Sequence, residues 1–364
     1  MRNRFHSICP YFAMFPESFV EHWISRVTRQ GDLVLDPCCG RGTTPFQSML
    51  MGRRTLSNDL NPVAYCLTRA KTNAPPDHRL LARLTALEHK YDDGAWRTEA
   101  RGLSEFFRYA YDPRTLRQIL YLRSSLRWQE SDIDCMLAAL TLGALHGESE
   151  RSPSYLSNQM PRTISTKPAY SVAYWKKHGF RAPKRNTFDL LRRAIAFRYE
   201  SVPPSGTGDV VFGDMRDLPR AAQKYERQVA CVITSPPYLD VTRFEEDQWL
   251  RIWFLGGAGR PTYGVISADD RHERPENYWQ FVADLWRSIG FFCARGAHVV
   301  IRLGGKGLEP QRIADAVVGT AVFSHRKVRS LGFTVSEIQR RQTEHFRPGS
   351  KGCKVEVDCH LLVQ

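Results

Sequence analysis

No apolar run in this chain approaches membrane-spanning length, and no secretory core follows Met1-Arg2-Asn3-Arg4-Phe5-His6. Both absences point to a cytoplasmic protein with no membrane segment. Nine cysteines are present, but there is no CxxC pair and no Cys/His cluster at zinc spacing. Neither a disulfide framework nor a metal site is therefore expected, and the thiols read as reduced. Internal repeats and low-complexity tracts are missing too. Acidic residues are in short supply: 52 Lys and Arg face 38 Asp and Glu, leaving +14 and a sequence pI near 9.5. Such a field favours polyanionic partners, nucleic acid first and anionic membrane second. What remains is ordinary for a globular chain of 364 residues, at 42% apolar and 25% charged.

Three zones follow from the patterning. Residues 1–75 alternate helix (Pro16 to Thr28), strand (Leu33 to Leu35), glycine turn, helix (Thr44 to Met51) and strand (Arg54 to Ser57). Residues 76–205 are helix-rich at Leu80 to Tyr91 and Ile133 to Leu145, then basic, aromatic and irregular. Residues 206–364 return to alternation through Val210 to Phe212, Val229 to Ile233, Tyr278 to Ile289 and His298 to Leu303. Phe333 to Ile338 and Val355 to Val363 read as a closing antiparallel pair. This order predicts an α/β fold, a doubly wound and mostly parallel sheet, with residues 76–205 inserted between the second and third strands. Ligands of such sheets bind beyond the carboxyl ends of the strands, at the switch point.

Two loops sit where that rule places chemistry. The first, Asp36-Pro37-Cys38-Cys39-Gly40-Arg41-Gly42-Thr43-Thr44, follows a strand and opens a helix. Its glycines allow positive φ and close approach of a ligand, and its threonines are expected to cap the helix. It lacks the GK[ST] of a phosphate-cradling loop and the third glycine of a dinucleotide fingerprint. Asp59 ends the next strand, about 20 residues on, where an acid holds a ribose hydroxyl pair. Asp214, followed by Met215, ends the third strand, where a carboxylate can accept from an adenine amino group. Acids at successive strand ends suggest an adenosine-containing cofactor without a pyrophosphate. The second loop, Thr234-Ser235-Pro236-Pro237-Tyr238, follows an apolar strand. Its prolines have no backbone donor, so the turn offers acceptors, with a serine oxygen before them and an aromatic ring after. An exocyclic amino group on a nucleobase calls for that combination.

With these residues the chain resembles S-adenosylmethionine-dependent DNA amino-methyltransferases that modify N4 of cytosine or N6 of adenine. Asp36-Pro37 with Gly40, Gly42, Thr43 and Thr44 resembles the family's DPFxGSGTT cofactor motif, with Cys38 and Arg41 where Phe and Ser are usual. Asp59 matches the ribose acid, Asp214 the adenine-contacting acid, and Ser235-Pro236-Pro237-Tyr238 the catalytic loop. His6 with Phe15-Pro16 resembles the segment that closes over the cofactor's methionine end. The resemblance implies a Rossmann-like class I methyltransferase, S-adenosylmethionine as cofactor, no metal, double-stranded DNA as partner, and room for a cognate restriction endonuclease. It also implies roles: the Ser235 hydroxyl and Pro236 carbonyl hold the amino hydrogens, Tyr238 stacks on a flipped-out base, and positioning supplies much of the rate. Serine at the first loop position resembles the cytosine-N4 enzymes, while adenine N6 stays open as the alternative. Carbon-5 methylation needs a cysteine nucleophile, and the Pro37-Cys38 pair lies in the cofactor turn instead.

Residues 151–200 hold eleven basic residues against two acids, most of the chain's surplus, interleaved with Tyr155, Tyr170, Tyr174, Trp175 and Phe180. Cations beside flat rings suit phosphate contact and base stacking. Arg151, Ser154, Tyr155, Lys176, Lys177, Arg181, Lys184, Arg185 and, beyond the catalytic loop, Arg243 are the expected nucleic-acid contacts, with Asn158 and Gln159 as further base readers. Trp249, Trp253 and Phe254 at helical spacing read as core. The rival readings are an RNA amino-methyltransferase, a nucleic-acid-binding protein without catalysis and, behind both, a protein-glutamine methyltransferase.

Overall fold

The structure, a computed structural model, describes residues 2–11, 15–147, 153–158, 167–239, 244–261, 275–304, 308–337 and 355–364. Its strands are β1 (Leu33–Asp36), β2 (Arg54–Asp59), β3 (Asp209–Phe212), β4 (Val229–Thr234), β5 (Cys293–Leu303), β6 (Val328–Glu337) and β7 (Val355–Val363). Helices α1 (Glu17–Val27), α2 (Thr43–Leu50) and α3 (Pro62–Thr72) accompany β1 and β2. Between β2 and β3 run α4 (Asp77–Lys90), α5 (Arg97–Gly102), α6 (Glu105–Ala110), α7 (Pro113–Ser125), α8 (Asp132–Ala144), α9 (Pro168–Lys177) and α10 (Thr187–Tyr199). Thereafter come α11 (Leu218–Ala221), α12 (Phe244–Phe254), α13 (Pro275–Phe292) and α14 (Pro310–Thr320).

The chain forms two compact units. One comprises Phe12–Thr68, Pro204–Thr242 and Val265–Gln364, and holds the sheet. Its strand order is β3-β2-β1-β4-β5-β7-β6, with neighbours from β3 to β5 parallel and β7 antiparallel to both β5 and β6. The order reverses between β1 and β4, so the loops that follow those two strands share the switch point. Strand alternation sorts the core into two faces. Leu33, Leu35, Val232, Val299, Ile301, Val357 and Cys359 pack with Phe281, Leu285 and Ile289 of α13. Val34, Cys231, Ile233 and Val300 lie on the opposite face with Val20 and Ile24 of α1.

The other unit comprises Met1–Tyr11, Arg69–Pro203 and Arg243–Gly264, and among the described residues is helical. Three of its helices, α7, α8 and α10, start on side-chain caps. Asp112 accepts from the Arg114 and Thr115 amides ahead of α7, Ser131 from Asp134 ahead of α8, and Asn186 from Phe188 and Asp189 ahead of α10. This partition differs from the expected boundaries at 75 and 205, and the reason is packing. The Ile8 carbonyl lies so close to Gly143 of α8 that a Cβ there would come within 2.2 Å of it. The Arg4 carbonyl accepts from Arg198 at 2.8 Å. On α12, Trp249 and Trp253 are buried against Phe106 and Phe107, at ring distances of 5.0 and 4.4 Å, as their spacing predicts.

In the sheet unit α13 is equally close to backbone. A Cβ at Gly290 would lie 2.1 Å from the Ser324 carbonyl oxygen. Gly290→Ala is expected to destabilise the protein by about 1–3 kcal/mol, the usual range for overpacking. Denaturant unfolding measures it, and an unchanged midpoint would mean that α13 has room to move.

Candidate functional site

The glycine turn is built by a close approach. Gly40 and Gly42 take φ of 53° and 73°, and the Gly42 amide donates to the Cys39 carbonyl at 2.7 Å. A Cβ at Gly42 would fall 2.6 Å from Thr68 Oγ1 and 3.0 Å from Thr68 Cα, so only glycine lets the turn rest on α3. The Thr68 hydroxyl in turn donates to the Gly40 carbonyl at 3.1 Å. The threonines do not cap α2 as expected. The cap is Gly42, in the left-handed region with no side-chain bond, and Thr43 and Thr44 lie inside the helix. Thr44 instead donates to the Ile233 carbonyl at 3.1 Å, which ties the cofactor-type turn to the strand that carries the second loop.

Asp59 reaches back to the same turn. One oxygen accepts from the Gly40 amide at 2.8 Å and the other from the Asn61 amide at 2.9 Å. Its carboxylate is thus pre-oriented beside the glycines while staying partly exposed. Asp36, at the end of β1, is buried at 2% exposure. Burial pushes its carboxyl up to about 7, against the Cys38 amide, which donates to it at 3.2 Å and favours the charged form. Asp214 follows β3 with its carboxylate bonded by the backbone amide and guanidinium of Arg216, at 2.6 to 3.0 Å. Met215 is buried, its sulfur 4.0 Å from Cys38 Sγ. Phe15 is a core residue beneath β1 and β4, and Pro16 is the exposed cap of α1. His6 is buried in the helical unit.

In the second loop Pro236 and Tyr238 are buried, while Ser235 and Pro237 are half-buried. Tyr278 of α13 donates to the Pro237 carbonyl at 3.2 Å and steadies the turn. Tyr238 is 7% exposed, packed in the apolar cluster of the α13 face rather than presenting a free ring. Its hydroxyl is 3.3 Å from Ser235 Oγ and 2.9 Å from Glu356 Oε1. Burial, then the Glu356 charge, pushes that phenol well above its ordinary range. Behind Glu356 stands Arg302, 3.3 Å from its other oxygen and bidentate to Asp358 at 2.6 and 2.8 Å.

Sequence reasoning missed Glu356, Arg302 and Asp358. One signal was available: acids at alternate positions of an otherwise apolar strand, Val355-Glu356-Val357-Asp358, need a buried cation opposite.

In the helical unit Lys177, Arg181, Lys184 and Ser154 are exposed, with Tyr170 and Phe180 at 62% and 42% exposure. Lys176 is exposed but paired with Glu105 at 2.7 Å. Half-buried Arg185 donates to the Tyr155 carbonyl at 3.4 Å. Two expected contacts are structural instead. Tyr155 is buried against Gly147, and Asn158 is buried with its amide donating to the Tyr109 carbonyl at 2.5 Å. These two side chains close the local core. Arg151, Gln159 and Arg243 lie outside the described residues. Among the described residues no group of three or more His, Cys, Asp or Glu is arranged to hold a metal, and no helix is long and apolar enough to cross a membrane.

A parallel sheet that reverses between β1 and β4, with an antiparallel β7 between β5 and β6 and a glycine turn and acid at the switch point, defines a Rossmann-like class I methyltransferase fold. Residues 2–68, which carry the glycine turn and Asp59, match the family model N6_N4_Mtase, described as DNA methylase. The chain is also 35% identical over 66 residues to the "Type II methyltransferase M.MjaII" of Methanocaldococcus jannaschii, a stretch of 18% of this chain and 12% of that protein. It therefore spans about an eighth of the length of the curated relative it matches. Among solved structures, the rRNA methyltransferase aviRa from Streptomyces viridochromogenes aligns over 100% of this chain and 90% of its own at 15% identity and a TM-score of 0.35. TrmN from Thermus thermophilus aligns over 97% and 50%, at 10% identity and 0.38. The fold stands on its own strand order, not on likenesses of that size.

The buried Asp36 has a consequence for stability. With its carboxyl raised to about 7, the folded chain holds a proton that the unfolded chain releases near pH 4. Its contribution is full below the unfolded carboxyl range and is lost as pH rises toward 7. Asp36→Asn is expected to gain on wild type across that window, by roughly 4 kcal/mol at most. Denaturant unfolding of both proteins from about pH 4.5 to about pH 7.5 checks it; parallel curves would contradict the assignment.

Proposed function

We propose that this chain transfers a methyl group from S-adenosylmethionine to the exocyclic N4 amino group of a flipped-out cytosine in double-stranded DNA. The observation that carries the reading is the placement of the loop Ser235-Pro236-Pro237, whose two prolines have no backbone donor, at the sheet's switch point with the glycine turn and Asp59. A nucleobase amino nitrogen is a poor nucleophile because its lone pair is delocalised into the ring. Acceptors that hold its hydrogens favour a pyramidal nitrogen, and Ser235 Oγ with the Pro236 carbonyl are suited to do so. Tyr238 takes part in the site through its hydroxyl, its ring being packed in the apolar cluster of the α13 face.

The residues present fit the cofactor. Asp59, oriented by two amides and partly exposed, suits a ribose hydroxyl pair, and Asp214 an adenine amino group once Arg216 shares it. The Asp36 carboxyl, buried and raised, is ready to ionise beside a cation. When bound, S-adenosylmethionine supplies the electrophilic sulfonium methyl. Exposed Lys177, Arg181 and Lys184 beside Tyr170 and Phe180 suit a phosphate backbone.

An acceptor loop serves cytosine N4 and adenine N6 alike, and serine resembles the cytosine enzymes. Labelled cofactor offered with duplex DNA and with RNA, followed by mass spectrometry of the nucleosides, tests the proposal. N4-methylcytosine from DNA is expected; N6-methyladenine would move the target base, and label in RNA alone would overturn the assignment. Ser235→Ala is expected to lower kcat by about 100-fold, the scale of losing one positioned hydrogen bond at a reacting group.

The basic face makes a separate forecast. A Lys177→Gln/Arg181→Gln/Lys184→Gln triple variant should weaken DNA binding at every sequence and reduce the salt slope of log K by about 3. Binding isotherms at several salt concentrations read it, and an unchanged slope would remove these residues from the interface.

A further inference from the structure

The loop's hydroxyls form a chain with a direction. Glu356 Oε1 lies 2.9 Å from Tyr238 Oη, and a carboxylate only accepts, so the phenol donates. With its hydrogen spent, Tyr238 Oη is left as an acceptor for Ser235 Oγ at 3.3 Å. That contact is long for a hydroxyl pair, as is common before a substrate is in place. The single hydrogen of Ser235 is then committed inward, and both of its lone pairs remain for a group arriving from outside.

Glu356 is itself held from the sheet. It shares a strand face with Asp358, two residues on, and Asp358 lies directly opposite Arg302 in the β5–β7 register. Arg302 bonds Asp358 with two nitrogens and reaches Glu356 with a third, its guanidinium 3.9 Å over the Phe19 ring of α1. A fork of that kind fixes geometry as well as charge.

We propose that Glu356, anchored by Arg302 and Asp358, is a positioning residue that makes Ser235 an obligate hydrogen-bond acceptor toward the target amino group. A free serine hydroxyl rotates to donate or to accept with equal ease. Here the phenol relay removes the choice. The proposal rests on the amino-methyltransfer reading of the same loop, and it assigns specificity to the relay: an acceptor-only Ser235 takes amino hydrogens and disfavours a carbonyl in their place.

Glu356→Gln, Tyr238→Phe and the double variant test it, through methyl transfer to DNA, calorimetric cofactor affinity, and resonance Raman difference spectra (wild type minus Tyr238→Phe) that report whether Tyr238 is a strong hydrogen-bond donor. Glu356→Gln keeps the side chain's shape, and it is expected to lower kcat by roughly 10- to 100-fold with KM for DNA and cofactor affinity unchanged. The double variant should be no slower than Tyr238→Phe alone, because the two act as one unit. The donor signature of Tyr238 should weaken in Glu356→Gln. Wild-type kcat in Glu356→Gln, losses that multiply in the double variant, or an unaltered Raman signature would each overturn the relay. Wild type that methylates neither DNA nor RNA would instead sink the functional reading, while the Raman comparison still decides the relay.

Discussion

A guanidinium placed on a buried face of a sheet has to be neutralised where it stands, and the carboxyl edge of this sheet is arranged around that demand. Arg302 sits near the end of β5, 8% exposed, on the face that also holds Val300 and is covered by α1. Left alone, a charge there would cost several kcal/mol. Asp358 meets it from β7 in a two-pronged bond, and Glu356 meets it from one strand-repeat earlier. The pairing also fixes β7 in register beside β5, because a slip of one residue would turn both acids to the opposite, apolar face. Through Glu356 and Tyr238 the same constraint reaches the catalytic-type loop.

A second set of bonds joins the two loops at the switch point. Thr44 links the start of α2 to the Ile233 carbonyl, two residues before Ser235, and Asp59 links the end of β2 to Gly40. The glycine turn therefore moves with β4, and the cofactor-type residues hold their places relative to the acceptor loop before any ligand arrives. Pre-organisation of this sort is what a reaction limited by positioning requires. The helical unit contributes something different: exposed cations and rings, with Lys177, Arg181, Lys184, Tyr170 and Phe180 at the surface.

Much of this was legible from residue order. Strand–helix alternation, the glycines before α2, the acids closing β1, β2 and β3, and the loop after β4 are local patterns, and local patterns survive translation into structure. Trp249, Trp253 and Phe254 declared themselves as core by helical spacing. Tyr155 and Asn158 did not, because a tyrosine or asparagine in a basic stretch looks the same whether it faces solvent or closes a core. Thr43 and Thr44 were misread for a related reason: Gly42 takes the left-handed cap, which frees the Thr44 hydroxyl for β4.

The sequence by itself determined which chemistry this chain can carry: a loop whose two prolines have no backbone donor, a turn without bulk, acids at strand ends, and a surplus of positive charge concentrated in fifty residues. Each depends on residue type and short spacing alone. Tertiary structure decided how the serine is used. Ser235 and Glu356 stand 121 positions apart, and they communicate only because β7 folds back against β5 and brings a carboxylate under Tyr238. Hydrogen-bond direction is a property of the whole chain of partners, so no stretch of sequence contains it.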